Sequence, residues 1–559
     1  MTRLRRLIEA RWLDTAIVTA MTLFVGVLSG AQRWSGWSPP DSSFYLTLGL
    51  FGSDVTDRAI DDSYFWTRLG AIVPMRGLTE VLGTWPGLFV FRLALVGLLV
   101  TGSFVALRRF SGRMSATFLT LAWCLSTVVL SYLGNPYMTG AVLAGTTALI
   151  AAALYSSVRA SIVAGVLLGW LATMHQPGFL LAATVWLVIC IQRGFQWRRA
   201  AATAAAGLVT LLAFIGVGTL MFPGLDWLDS IVSSGRDMNY AGLADPSPLW
   251  LGDVSLLVPV LATVGCVIVW WTNRSDRAAQ VGLAMSVASV NFMLVFSPIM
   301  SGIPLEAPHY AAMLWAPTLL GFSVALTAVL PRESWSPAAV VAGCLVIAAI
   351  LITGRIAPSR SPAFLVALAV VVTLVLIGAL RWGSPSTVVV VVAVGLVLAS
   401  GQLMQNSREQ RGFFYHLTPY VWAFEPNVLS DRAHAAVNVE EWVLANTAST
   451  DRVSTWVQGD WFAGDRELYD VAAMQLWGPN RVAMTPQMTP GDLAQLAVDR
   501  PTVIAMYGSS MDGVLRFWSS IPAVNSPTAP QCYDFPWAAY PDSVNPVSEG
   551  HACLTHLRW

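Results

Sequence analysis

The sequence predicts a polytopic α-helical membrane protein with a small α/β domain at its C-terminal end. Three observations lead there. Of 559 residues, 55% are hydrophobic and only 11% charged, and mean hydropathy is +0.61, far more apolar than a soluble globule. About thirteen apolar stretches follow one another up to residue 405, each of roughly twenty residues and so long enough to span a bilayer. Residues 406–559 change character, with ordinary polarity and turns rich in Pro, Gly, Asn and Asp.

Charge narrows the function classes. Net charge is zero, which speaks against nucleic-acid binding. All 32 basic residues are Arg, so a phosphate clamp must use Arg, His or backbone N–H groups. P-loop, zinc and Ser-His-Asp signatures are absent.

The chain starts with MTRLRRLIEARWLDTAIVTAMTLFVGVLSG. A basic start and an apolar run without a small-residue cleavage site read as a retained first helix. Spans are expected near 12–32, 86–107, 114–133, 138–156, 160–175, 177–192, 200–222, 250–272, 278–298, 309–330, 336–354, 362–381 and 385–405. Arginines flank alternate ends: Arg3, Arg5 and Arg6, then Arg108, Arg109 and Arg113, Arg159, Arg193, Arg198 and Arg199, Arg274 and Arg277, Arg332 and Arg381. The positive-inside rule makes these ends cytoplasmic in a plasma-membrane protein with a cytoplasmic N-terminus. Arg355 and Arg360, in one short outer loop, are the exceptions. The opposite side receives loops 33–85, 223–249 and 299–308 and the domain at 406–559. The transmembrane domain is thus 1–405.

In the C-terminal domain, VNVEEWVLANT, ELYDVAAMQLW and PGDLAQLAV read as helices, and DRVSTWV, RVAMT and TVIAMYG as strands. The alternation suggests a partly parallel sheet. The tail from Ala529 is expected to be irregular. With this region outside the cell, Cys532 and Cys553 are expected to form a disulfide. Cys124, Cys190, Cys266 and Cys344 fall inside spans, as small apolar fillers.

The candidate chemistry collects on the outer side. Asp41 follows Pro39-Pro40 just after the first span, at the head of a loop that also holds Tyr45, Asp61, Asp62 and Arg68. Arg92 lies about two turns into the second span. His175 and Gln176 mark a break before Pro177, and Glu306, His309 and Tyr310 open the tenth span. An ionisable group at membrane depth usually has a partner or a function. Each has a plainer role beside it. Asp41 suits a helix N-cap, Arg92 can snorkel to the interface, and His175 suits a helix end.

In this order and on one side, these residues resemble the GT-C superfamily of integral-membrane glycosyltransferases that use polyprenyl-phosphate sugars. PPDSSFY resembles the family's acid after helix one, with Ser42 where an acid is common. FRLALVGLLVTGSFVALRRFSGR resembles its Arg early in helix two and the basic turn that follows. GVLLGWLATMHQPGFLL resembles its glycine-rich helix, with His175 where Lys is common, and EAPHYAAMLWAP resembles its basic-residue-Tyr followed by a helical Pro. An outer C-terminal domain is similar to the arabinosyl- and mannosyltransferases of actinobacterial envelopes.

The resemblance implies transfer of a sugar from a polyprenyl-phosphate donor to an envelope glycan or glycolipid acceptor, in a single inverting displacement. It implies Asp41 as general base. Arg68, Arg92, His175, His309 and Tyr310 would bind the donor phosphate, a His doing so best when protonated. Tyr45, Asp61, Asp62 and Glu306 would stand nearer the acceptor. No cofactor is implied, although carboxylates near Asp41 leave room for a divalent metal. The rival readings are a transporter or lipid flippase, against which stands the lack of an inverted repeat, and a non-catalytic envelope scaffold, in which Asp41 would tolerate substitution.

Overall fold

The computed structural model describes residues 2–28, 67–125, 129, 133, 138–222, 226–232, 254–299, 313–329, 439, 442–443, 445–448, 450–458, 481–485, 500–508, 510–521, 529–536 and 549–558. The first part is a helical bundle. It comprises α1 (Thr2–Leu28), α2 (Leu69–Leu82), α3 (Thr84–Arg108), α4 (Arg113–Cys124), α5 (Met138–Ala153), α6 (Val158–Ala172), α7 (Gln176–Gln192), α8 (Trp197–Met221), α9 (Val254–Thr272), α10 (Arg277–Ile299) and α11 (Trp315–Leu326). Ten of the expected spans fall on α1 and α3–α11; those at 336–405 lie outside the described residues. Among the described residues, Pro86–Arg108, Trp197–Met221 and Arg277–Val295 are long and apolar enough to cross a membrane.

The helix ends follow local chemistry. Ser157 caps α6 by accepting from Ala160 N at 3.1 Å. His175 caps α7, and Pro177 occupies its first turn, where its missing N–H costs nothing. At the other end of the bundle, Asp14 on α1 pairs with Arg113 and, at 3.7 Å, with Arg108. The pairing ties α1 to the turn between α3 and α4.

Close packing of α6 on α8 depends on small residues. A Cβ on Gly165 would stand 2.3 Å from Thr203 O, and one on Gly169 would stand 2.3 Å from Gly207 O. Only glycine lets the two backbones meet there, the small-xxx-small solution common between helices in lipid. Thr203 Oγ1 donates to Ser161 O at 3.0 Å across the same contact. Trp123, Phe118 and Trp315 fill the apolar core of the bundle.

Within the expected outer loop 33–85, residues Leu69–Leu82 form α2, a helix the sequence reading did not place. Its sequence, LGAIVPMRGLTEVL, is too short and too polar to read as a span. It buries Leu69, Gly70, Ala71, Ile72 and Met75 and exposes an Arg76–Glu80 pair at 2.6 Å.

The C-terminal residues form a five-stranded sheet of β1 (Val453–Val457), β2 (Arg481–Thr485), β3 (Val503–Gly508), β4 (Gln531–Pro536) and β5 (Glu549–His556), in the order β2-β1-β3-β5-β4. β1 runs parallel to β2 and β3, while β5 runs antiparallel to β3 and β4. β3 is buried along its whole length, as a central strand covered on both faces should be. Helix α12 (Met511–Ser520) follows it, and Phe517 stacks on Trp456 with ring centroids 4.0 Å apart.

The tail is therefore not irregular. Gln531–Pro536 and Glu549–His556 pair as antiparallel strands, and Cys532 and Cys553 are joined by a disulfide at directly opposed positions, Cα atoms 4.0 Å apart. Pro530 and Pro536 disguise β4, which is short and lies at the sheet edge, where proline is tolerated. The expected helices at 467–477 and 490–498 lie outside the described residues.

Candidate active site

Chain direction brings three of the candidates to one end of the bundle. α3 starts there and carries Arg92. α6 ends there, and α7 leaves with His175 at its cap. The first turn of α2 docks onto the end of α6. Gly70 N donates to Thr173 O at 2.9 Å, and Trp170 Nε1 donates to Gly70 O at 2.9 Å.

The docking positions Arg68. Its guanidinium, two residues before Gly70, donates through Nη1 to Gln176 Oε1 at 2.5 Å, across 108 residues of sequence. Arg68 is only 4% exposed and His175 only 2%. The other end of the Gln176 amide, Nε2, is buried without a hydrogen-bond partner among the described residues. A buried amide donor of this kind is costly unless something accepts from it.

His175 serves as more than a helix end. Its Nδ1 accepts from Gly178 N at 3.1 Å. An accepting Nδ1 carries no proton, so the ring's N–H is on Nε2.

Arg92 does not snorkel. It lies eight residues past Thr84 on α3, about 12 Å along the axis, and is 2% exposed. Its Nε donates to Leu133 O at 3.4 Å, on the connection between α4 and α5. The charge is enclosed by the bundle.

The segment that follows α8 begins against the same place. Asp226 Oδ1 accepts from Leu228 N and Asp229 N, both at 3.0 Å, and caps the helical segment 227–232. Trp227 Nε1 then donates to Thr67 O at 3.2 Å, next to Arg68. Asp41, Tyr45, Asp61, Asp62, Glu306, His309 and Tyr310 lie outside the described residues.

Sequence reasoning marks His175 and Gln176 as a helix break but misses Gln176 as the acceptor for Arg68. It also misses Gly70, Trp170 and Thr173. The usable signal is Gly70 itself, since a Cβ there would stand 2.9 Å from Thr173 Oγ1 and 3.1 Å from Trp170 O. Gly70→Ala is expected to destabilise the protein by about 1–3 kcal/mol through overpacking. Gly77 is on the same helix with nothing within 4 Å, and Gly77→Ala is expected to be neutral or stabilising by ~0.5–1 kcal/mol. Thermal unfolding of the two purified variants in detergent compares them, and equal midpoints would mean the α2–α6 contact is not tight.

No protein-family model and no curated protein matches the sequence. Among solved structures, ArnT from Cupriavidus metallidurans bound to undecaprenyl phosphate is similar, with a TM-score of 0.53 at 16% identity, over 96% of this chain and 97% of that one. The same protein in the apo state gives a TM-score of 0.53 at 15% identity, over 98% of each chain. The archaeal oligosaccharyltransferase AglB from Archaeoglobus fulgidus, in complex with an inhibitory peptide and a dolichol-phosphate, is more distant, with a TM-score of 0.43 at 9% identity, over 89% of this chain and 69% of that one. At these identities the likeness speaks to the fold.

Proposed function

From the premise that this chain has the fold of the GT-C superfamily of integral-membrane glycosyltransferases, we propose that it transfers a sugar from a polyprenyl-phosphate donor to an envelope glycan or glycolipid acceptor. The observation that carries this reading is the buried Arg68–Gln176 pair beside His175. It presents a guanidinium, an amide N–H pair unpartnered among the described residues and an imidazole at one membrane end. Those donors suit a phosphate at headgroup depth and nothing apolar. ArnT, whose fold this chain shares, has been crystallised with undecaprenyl phosphate, which supports a lipid of the same kind here.

The chemistry is one displacement. The acceptor hydroxyl oxygen attacks the anomeric carbon on the face opposite the phosphate. The bond from that carbon to the phosphate oxygen breaks, and its electron pair leaves with the lipid phosphate. That anion is stable, so the leaving group needs charge stabilisation rather than a strong acid. Arg68, Gln176 and His175 supply it, with Arg92, His309 and Tyr310 as further donors. The hydroxyl proton passes to Asp41, a carboxylate suited to a general base. Tyr45, Asp61, Asp62 and Glu306 stand on the acceptor side, and the sugar expected is arabinose or mannose. Residues 1–405 form the catalytic membrane domain and 406–559 an extracytoplasmic one, with the N-terminus cytoplasmic.

Mass spectrometry of lipid that co-purifies with the protein tests the reading. A polyprenyl phosphate, free or carrying a sugar, is the expected finding. Ordinary phospholipid alone, bound to folded protein, would remove the donor assignment.

A further inference from the structure

At the opposite end of the bundle, a cleft opens between the α5–α6 turn and the α7–α8 turn. It has a cavity volume of about 40 Å³ and is lined by Arg193, Arg199, Phe195, Trp186 and Ala164 among others. Arg193 is held in place, since Nη1 donates to Ala153 O and Nη2 to Ser156 Oγ, both at 2.7 Å. The Arg199 side chain has no hydrogen bond or ion pair among the described residues. Arg109, which stacks on Tyr155 with its guanidinium 5.5 Å from the ring, lies at the same end. Arg277 begins α10 there as well.

These cations feel one another. Arg193 is held below its ordinary value first by burial and then by Arg277, Arg109 and Arg199, with Cys190 acting in the other direction. The nearest pairing scheme, Asp14 with Arg108 and Arg113, is already complete. Like charges gathered in this way repel one another, so an anion in the cleft would be stabilised by them. Phe195 lines the cleft, and Ile191 and Trp197 adjoin its lining residues Cys190 and Gln196 in sequence; the three are 52%, 59% and 69% exposed. Exposed Phe and Trp beside arginines mark the level at which lipid headgroups lie.

We propose that this cleft binds the phosphate of an anionic phospholipid from the adjoining leaflet. Shape and surroundings favour a lipid over free phosphate. The cavity admits only a small group, and these exposed apolar side chains receive the glycerol and acyl chains that stay outside it. Basic pockets between helices at a membrane surface bind anionic headgroups by the same physics. The site lies at the far end of the helices from Arg68 and His175 and is separate from the proposed donor site.

Native mass spectrometry of the full-length protein in detergent tests this with dioleoyl phosphatidylglycerol and dioleoyl phosphatidylcholine. The protein is expected to retain the former selectively. Arg199→Gln is the variant of choice, because Arg193 also holds a turn together. It is expected to lower that retention about fivefold, the effect of one surface cation near a charged membrane. Arg452→Gln, in the C-terminal sheet region, is expected to change nothing. Equal retention of the two lipids, or undiminished phosphatidylglycerol on Arg199→Gln, would overturn the proposal. Displacement of phosphatidylglycerol by millimolar inorganic phosphate would assign the site to free phosphate and overturn the lipid.

Discussion

Asparagine in place of Asp41 is expected to lower sugar transfer by roughly 10²–10⁴-fold, the usual contribution of a positioned general base. The substitution keeps the size of the side chain and its ability to cap a helix, since Asn and Asp cap about equally well. It removes only the capacity to take a proton. A helix cap alone and a catalytic base therefore predict different outcomes. The measurement is transfer from a polyprenyl-phosphate sugar by purified Asp41→Asn, with circular dichroism to show that the helices persist. Full transfer by the folded variant would leave Asp41 with no more than a helix-capping role and assign the base to another group.

The second large effect is expected at Arg68. The guanidinium is 4% exposed and fixed by the Gln176 amide. Arg68→Met keeps most of the stem and deletes the charge. A hydrogen bond to a charged group contributes about 1.5–3 kcal/mol. The Kd for polyprenyl phosphate should therefore rise roughly ten- to a hundredfold. Arg68→Lys keeps the charge but loses the planar fork, and should fall between the two. Direct titration of purified protein with polyprenyl phosphate reads all three. The acceptor KM should stay the same, because Arg68 is assigned to the donor. Unchanged lipid affinity in Arg68→Met would move the phosphate away from the Arg68–Gln176 pair.

Elements whose stability is local were legible. The apolar spans show because each must bury about twenty residues in lipid, whatever its neighbours do. β1, β2 and β3 show because VSTWV, RVAMT and VIAMYG are rich in residues suited to a pleated, buried surface. His175 followed by Gln-Pro marks a helix break, because proline constrains the residue before it and suits a first turn. β4 was hidden, because a short edge strand flanked by prolines has little intrinsic signal and is defined by its partner β5. α2 was hidden for a related reason. Its apolar face covers little more than Leu69, Ile72 and Met75, and Arg76 and Glu80 dilute it.

The sequence by itself determined a helical membrane body, a sheet-forming C-terminal region and a basic complement made only of arginine, since these follow from composition and short-range pattern. Only the tertiary structure decided that Arg68 meets Gln176 and that Arg92 is enclosed rather than at the interface. It also decided that Arg193 and Arg199 share one cleft at the far end. Such pairings depend on how closely two helices approach. At Gly70 that distance is set by the absence of a single carbon atom, against a helix a hundred residues away.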